Sequence, residues 1–145
     1  MTSQVIAALR AGRHSAAMRH IATVALLFAG LVHLLPLAGM AGPERLSALY
    51  GVSVAEPNLE ILLRHRAVLF GVLGCFFLYA AFHRELQPVA LLVGLVSAGA
   101  FVAMAATVGG YNPQITKVVV ADALCLAALA AGGVALWFTR SSVQA

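Results

Sequence analysis

Four long apolar stretches dominate this sequence of 145 residues. They cover approximately residues 21–37, 59–82, 87–108 and 114–138, and charges are almost absent from their interiors. A helix that crosses the hydrocarbon core of a bilayer needs about 20 consecutive apolar residues. Only 10% of the residues are charged, whereas soluble domains have about a quarter. The sequence therefore predicts an all-α fold, an antiparallel four-helix transmembrane bundle, with no room for a second, soluble domain.

A polar segment, GPERLSALYGVSVAEPNLEI, separates the first two apolar stretches. Pro43 suits the first turn of a helix, and Glu44 suits its positive N-terminal end. Gly51 fits a position just after the last turn, and Glu56 before Pro57 favours extended backbone. We expect a short helix that lies at the membrane interface.

The basic N-terminal segment sets the expected orientation. Residues 1–20 carry Arg10, Arg13 and Arg19 and no acidic residue, which is typical of a cytoplasmic flank. Four spans would place both termini and the HRELQP link on this side. This side then holds five Lys and Arg residues, Arg84 and Arg140 included, and the other side holds four. The domain organisation is then a basic cytoplasmic segment (1–20), a transmembrane domain (21–139) and a cytoplasmic tail (140–145). In an alternative interpretation, the segment is the start of a secretory signal cleaved near Ala41.

Small residues recur at four-residue spacing within the apolar stretches. Such pairs allow helix backbones to approach closely in a membrane, although a chain this rich in Ala and Gly also produces them by chance. The pairs are Ala25 with Ala29, Gly94 with Ala98, and Ala128 with Gly132.

Ionisable residues within the spans are the candidate functional groups. Asp122 is the only charged residue between Val118 and Thr139. At 1.5 Å per residue it lies roughly 12 Å from the start of the fourth span, and Arg66 lies at a similar depth in the second. Because charges inside a membrane usually pair, we expect an Arg66–Asp122 ion pair, with Arg64 or Lys117 as alternative partners.

The predicted topology gathers further polar side chains at this depth, in the half of the membrane away from the termini. They could simply bind one another and join the helices, or they could hold a small amphiphile or an anionic group. Two histidines on neighbouring helices could also ligate haem, as His33 with His65 or, on the cytoplasmic side, His20 with His83. The candidate ligand-binding cluster comprises His33, Glu60, Arg64, His65, Arg66 and Asp122.

Several classes of site are missing from the sequence. It has no Gly-rich phosphate loop, no HExxH, no CxxC and no nucleophile elbow. His, Cys and acidic residues never reach the density of a zinc site, and the basic residues form no nucleic-acid-binding face. We therefore expect no metal other than a haem iron, no cofactor other than haem, and no nucleic-acid partner.

The chain combines a long first span, a Pro-Glu-Arg loop with LYGV, the string RHRAVLFGVLG, and two apolar spans separated by GGYNP. This pattern resembles the small bacterial four-helix membrane proteins similar in plan to the DoxX-like group. The resemblance implies a bacterial cytoplasmic (inner) membrane protein with both termini inside. It transfers no catalytic residue to this chain.

These observations lead to two functional hypotheses. The first is an accessory integral membrane protein whose polar cluster binds a lipid-like or quinone-like molecule or a partner membrane protein. The second is a membrane enzyme or haem-binding redox protein that uses the same cluster. Transport would require a homo-oligomer, because four helices in one copy enclose little volume.

Overall fold

The computed structural model describes residues 20–144, with side chains up to residue 139. Every regular element within this range is helical, so the predicted all-α bundle is confirmed. The helix α1 covers residues 20–34 and continues as a 3-10 helix. The remaining bounds are Leu35–Ala41 for the 3-10 helix, Pro43–Tyr50 for α2, Pro57–Ala81 for α3, Gln87–Val108 for α4 and Pro113–Gln144 for α5.

Proline and glycine determine several of these boundaries. Pro36 lacks a backbone N–H and cannot continue regular α-helix, so α1 tightens into the 3-10 turn there. Gly51 ends α2 in the left-handed conformation, with φ of 65°, as predicted. The helix α5 runs on through residues 140–144, which we predicted as a tail, because TRSSVQ contains neither Gly nor Pro to end it.

The short helix α2 and the start of α3 confirm the predicted structure of the polar segment. Pro43 and Glu44 occupy the first turn of α2. Glu56 is extended, and its carboxylate caps α3 by accepting hydrogen bonds from the backbone N–H groups of Asn58 (3.0 Å) and Leu59 (2.8 Å).

Four helical segments within residues 20–144 are long and apolar enough to cross a membrane. Large apolar side chains point outward from all of them, including Val108, which is 82% exposed, and Leu62, which is 66% exposed. An apolar surface of this extent is incompatible with water but suits acyl chains. The chain is therefore a multi-pass membrane protein. The spans are His20–Ala41, Pro57–Ala81, Gln87–Val108 and Pro113–Thr139.

Small residues form the tightest contacts between helices. At the α1–α3 contact, a Cβ atom added to Gly74 would lie 2.9 Å from the carbonyl oxygen of Gly30. On α4 and α5, Gly94 faces Leu129 and Gly132 faces Leu91, so residue numbers rise on one helix as they fall on the other. Of the six small residues predicted from spacing, five are buried and Ala128 is half-buried.

The bundle has two chemically different ends. At the end away from α2, the Gln87 amide donates hydrogen bonds to Thr23 Oγ1 (3.2 Å) and to the carbonyl of Ala81 (3.0 Å), which joins α1, α3 and α4. The opposite end, where α2 lies, contains the polar residues described next. The basic residues Arg10, Arg13 and Arg19 and the side chain of Arg140 lie outside the described residues.

Candidate functional site

A cavity of about 240 Å³ lies between α1, α2, α3 and α5 at the α2 end of the bundle. Its wall is apolar over most of its area, with Leu49, Phe70 and Val118 among the contributing residues. We call it the polar cavity because six polar or ionisable side chains interrupt this apolar wall: His33, Tyr50, Arg66, Gln114, Lys117 and Asp122.

Arg66 lies among aromatic rings and not against a carboxylate. Its guanidinium carbon is 5.0 Å from the ring centroid of Phe70 and 5.4 Å from those of Tyr50 and Phe101. Cation–π contacts at such distances stabilise a cation that has left bulk water. The rings surround the guanidinium, and its N–H groups make no hydrogen bond with any residue that the structure describes.

The predicted ion pair between Arg66 and Asp122 is wrong as a direct contact. The only ion pair among the described side chains joins Arg64 to Glu60 at 3.1 Å, so neither alternative partner, Arg64 or Lys117, pairs with Asp122. Arg66 and Asp122 do line the same cavity, as their depths predicted. The physical reason for the missing contact is that the three rings hold the guanidinium.

Asp122 is the most unusual residue of the cavity. It is only 5% exposed, yet its carboxylate forms no hydrogen bond and no ion pair within residues 20–139. No fully buried side-chain nitrogen or oxygen among the described residues lacks a partner, so the carboxylate oxygens of Asp122 remain in contact with accessible space. That space is the polar cavity.

His33 contributes an imidazole whose two nitrogens both have partners. Nδ1 donates a hydrogen bond to the carbonyl of Ala29 (2.9 Å), so in the neutral ring Nε2 accepts from the Ser97 hydroxyl (3.1 Å). The ring also packs against Phe70 and Phe77, with centroids 5.3 and 4.9 Å away. His33 therefore links α1 to α4 and fixes one wall of the cavity.

Tyr50 is held in the wall by the contact between α2 and the start of α5. Asn112 donates hydrogen bonds to the carbonyls of Tyr50 (2.9 Å) and Gly51 (3.1 Å) and accepts one from the N–H of Ile115. Burial raises the pKa of the Tyr50 hydroxyl, Arg66 opposes this rise, and Asp122 adds to it. The hydroxyl thus lies within electrostatic range of both ions.

Three of the six predicted cluster residues do not line the polar cavity. Glu60 and Arg64 pair with each other one helical turn apart, and His65 is exposed. Sequence reasoning in turn missed Tyr50 and Gln114. The sequence did offer a sign that Tyr50 faces inward. It lies four residues after Leu46, on the same face of a short helix that ends at Gly51.

The geometry argues against His33 and His65 as a pair of haem ligands. His33 would have to give up the Ser97 hydrogen bond to bind iron, and His65 does not share its cavity. In the second pair, His83 stacks on Tyr79 and donates from Nδ1 to its carbonyl at 2.7 Å, an arrangement that neither favours nor blocks a ligand role for Nε2. No group of three or more His, Cys, Asp or Glu residues within the described part of the chain could hold a metal ion.

A second, more open space of about 550 Å³ adjoins the polar cavity and shares Arg66 and Phe70 with it. We call it the apolar cleft. It lies between α3, α4 and the start of α5, and Met104, Ala105 and Val108 contribute to its wall. Arg66 therefore contacts both spaces.

No family model, no curated protein and no solved structure matches this chain.

Proposed function

We propose that this protein is an accessory integral membrane protein that binds the head of a lipid-like or quinone-like molecule in the polar cavity. The observation that carries the proposal is Asp122, a carboxylate almost completely buried in a membrane-spanning helix and without a hydrogen bond or a direct ion pair among the described side chains. An ionisable group at such a depth is costly and usually marks a functional site. Binding of a polar head would satisfy it.

The size of the cavity supports a head and not a whole amphiphile. Ligand sites commonly measure about 300–1,000 Å³, whereas the polar cavity has about 240 Å³. Leu35 lies at its edge and is 64% exposed. An apolar chain could therefore leave the cavity directly into the bilayer.

The setting of the site follows from the basic N-terminal segment and from the resemblance to bacterial four-helix proteins. We propose the bacterial inner membrane, with both termini in the cytoplasm and the polar cavity in the outer half of the bilayer. Partners are the bilayer, the bound amphiphile and either a second copy or another membrane protein.

Native mass spectrometry of the gently extracted protein tests the proposal. Ala121 lines the cavity, so Ala121→Trp would fill it, whereas Ala127→Trp places the same ring on the exposed face of α5. We expect the wild type and Ala127→Trp to retain a small molecule and Ala121→Trp to lose it. Equal retention by both variants, or an empty wild type, would refute the proposal.

A further inference from the structure

We infer that the head bound in the polar cavity carries a phosphate and a primary ammonium, as in phosphatidylethanolamine. The phosphate would contact Arg66 and Lys117, and the ammonium would contact Asp122. This inference rests on the proposed function and specifies its ligand. It depends on the two opposite charges that line one space without pairing.

The Arg66 side of the cavity fits a phosphate. Its aromatic neighbours stabilise the charge but leave the N–H groups of the guanidinium without an acceptor among the described residues. A guanidinium presents these donors as a planar fork that matches phosphate oxygens in a bidentate manner. Lys117 adds a second positive charge to the same wall.

The Asp122 side of the cavity requires a hydrogen-bond donor. An ionised carboxylate only accepts hydrogen bonds, whereas a primary ammonium supplies three N–H donors. A purely anionic head would place a negative charge beside Asp122. A quaternary ammonium has the right charge but offers no N–H. A head with both a phosphate and a primary ammonium complements Arg66 and Asp122 together.

The surroundings favour a lipid over a soluble phosphoester as the source of this head. Leu35 lies at the edge of the polar cavity and is 64% exposed. An acyl chain can therefore leave the cavity into the bilayer beside this side chain. Soluble phosphoethanolamine has no acyl chain to place there.

Lipid binding measured by native mass spectrometry tests the inference. The delipidated protein is titrated with phosphatidylethanolamine, phosphatidylcholine or phosphatidylglycerol with identical acyl chains, and with soluble phosphoethanolamine. We expect phosphatidylethanolamine to bind at least about tenfold more tightly than phosphatidylcholine, because only its ammonium can donate a charge-assisted hydrogen bond to Asp122. Equal binding of these two lipids, tighter binding of phosphatidylglycerol, or equally tight binding of phosphoethanolamine would overturn the inference.

Variants assign the selectivity to the two ions. Asp122→Asn should bring the affinities for phosphatidylethanolamine and phosphatidylcholine close together, while Arg66→Met should weaken both. Arg84→Met, at the other end of the bundle, should change neither. A preference for phosphatidylethanolamine that survives Asp122→Asn would overturn the inference, and if that variant does not fold, the wild-type comparison still decides.

The two proposals fail in different ways. If the molecule retained by the wild type and lost by Ala121→Trp is not a phospholipid, the inference about the head is wrong but the proposed function stands. If Ala121→Trp and Ala127→Trp retain the same molecule equally, the proposed function itself is wrong.

Discussion

His33 shows how a polar side chain can be satisfied inside an apolar bundle. Both of its ring nitrogens have partners, one on its own helix and one, the Ser97 hydroxyl, on α4. The imidazole therefore needs no charge and no ligand to remain buried. Its contribution to the site is to hold the cavity wall in place.

Ser97→Ala should lower the free energy of unfolding by about 1 kcal/mol, because it leaves Nε2 of His33 buried without a donor. Ser97→Thr keeps the hydroxyl and is the matched control. The measurement is unfolding in mixed micelles with increasing denaturing detergent. If both variants were equally stable, the His33–Ser97 hydrogen bond would contribute nothing to the free energy of unfolding.

Glu56 gives a pH dependence at the start of α3. Hydrogen bonds from the backbone N–H groups of Asn58 and Leu59 lower the pKa of its carboxyl below the ordinary value of 4.5. A lowered pKa means that the cap stabilises the folded protein above pH 4.5 and that this stabilisation is lost as the pH falls through the lower, folded-state pKa.

Glu56→Gln should therefore speed amide hydrogen exchange at Asn58 and Leu59 near neutral pH relative to the wild type. The difference should disappear in acid, once the wild-type carboxyl is protonated. Exchange followed by NMR or mass spectrometry at several pH values measures this. A difference that stays constant across the pH range would contradict the assigned cap.

At the same residue scale, sequence reasoning predicted part of the site. Depth along a helix correctly placed Arg66 and Asp122 in one cavity, because the rise per residue is fixed. It could not predict their separation, which depends on the rings around the guanidinium. Consecutive residues on a helix point about 100° apart, so His65 could not share the inward direction of Arg66.

Among the elements, the helices with strong boundary signals were predictable from the sequence. The predicted bounds of α4 match the structure, and Pro43 and Gly51 fixed α2. The Gly30–Gly74 contact was not predictable, because the two residues lie on different helices and only packing brings them together. Spacing within one helix does not reveal which faces meet.

Gly74→Ala should destabilise the bundle at the α1–α3 contact. The added methyl would lie 2.9 Å from the backbone oxygen of Gly30, which cannot rotate away. Overpacking lowers the free energy of unfolding by about 1–3 kcal/mol. This loss should exceed the gain of about 1 kcal/mol from the higher helix propensity of Ala.

Gly133→Ala is the matched control for this substitution, because nothing lies within 4 Å of the added methyl. It should be neutral or slightly stabilising when unfolding of both variants is measured in mixed micelles. Equal stability of the two variants would show that α1 and α3 do not pack closely at Gly74.

On the scale of the whole molecule, the two ends of the bundle differ in how their polar groups are satisfied. At one end, Gln87 joins three helices by direct hydrogen bonds. At the other, Arg66 and Asp122 face a cavity instead of each other. The first end is closed within the chain, while the second opens onto the polar cavity, which the proposed amphiphile would fill.

A crystal structure grown from a lipid mesophase that contains phosphatidylethanolamine would show whether a lipid head occupies the polar cavity. We expect density for a polar head between Arg66 and Asp122, continuous with an apolar chain that extends toward the bilayer. A cavity that holds only water, with Arg66 moved into direct contact with Asp122, would contradict the proposal.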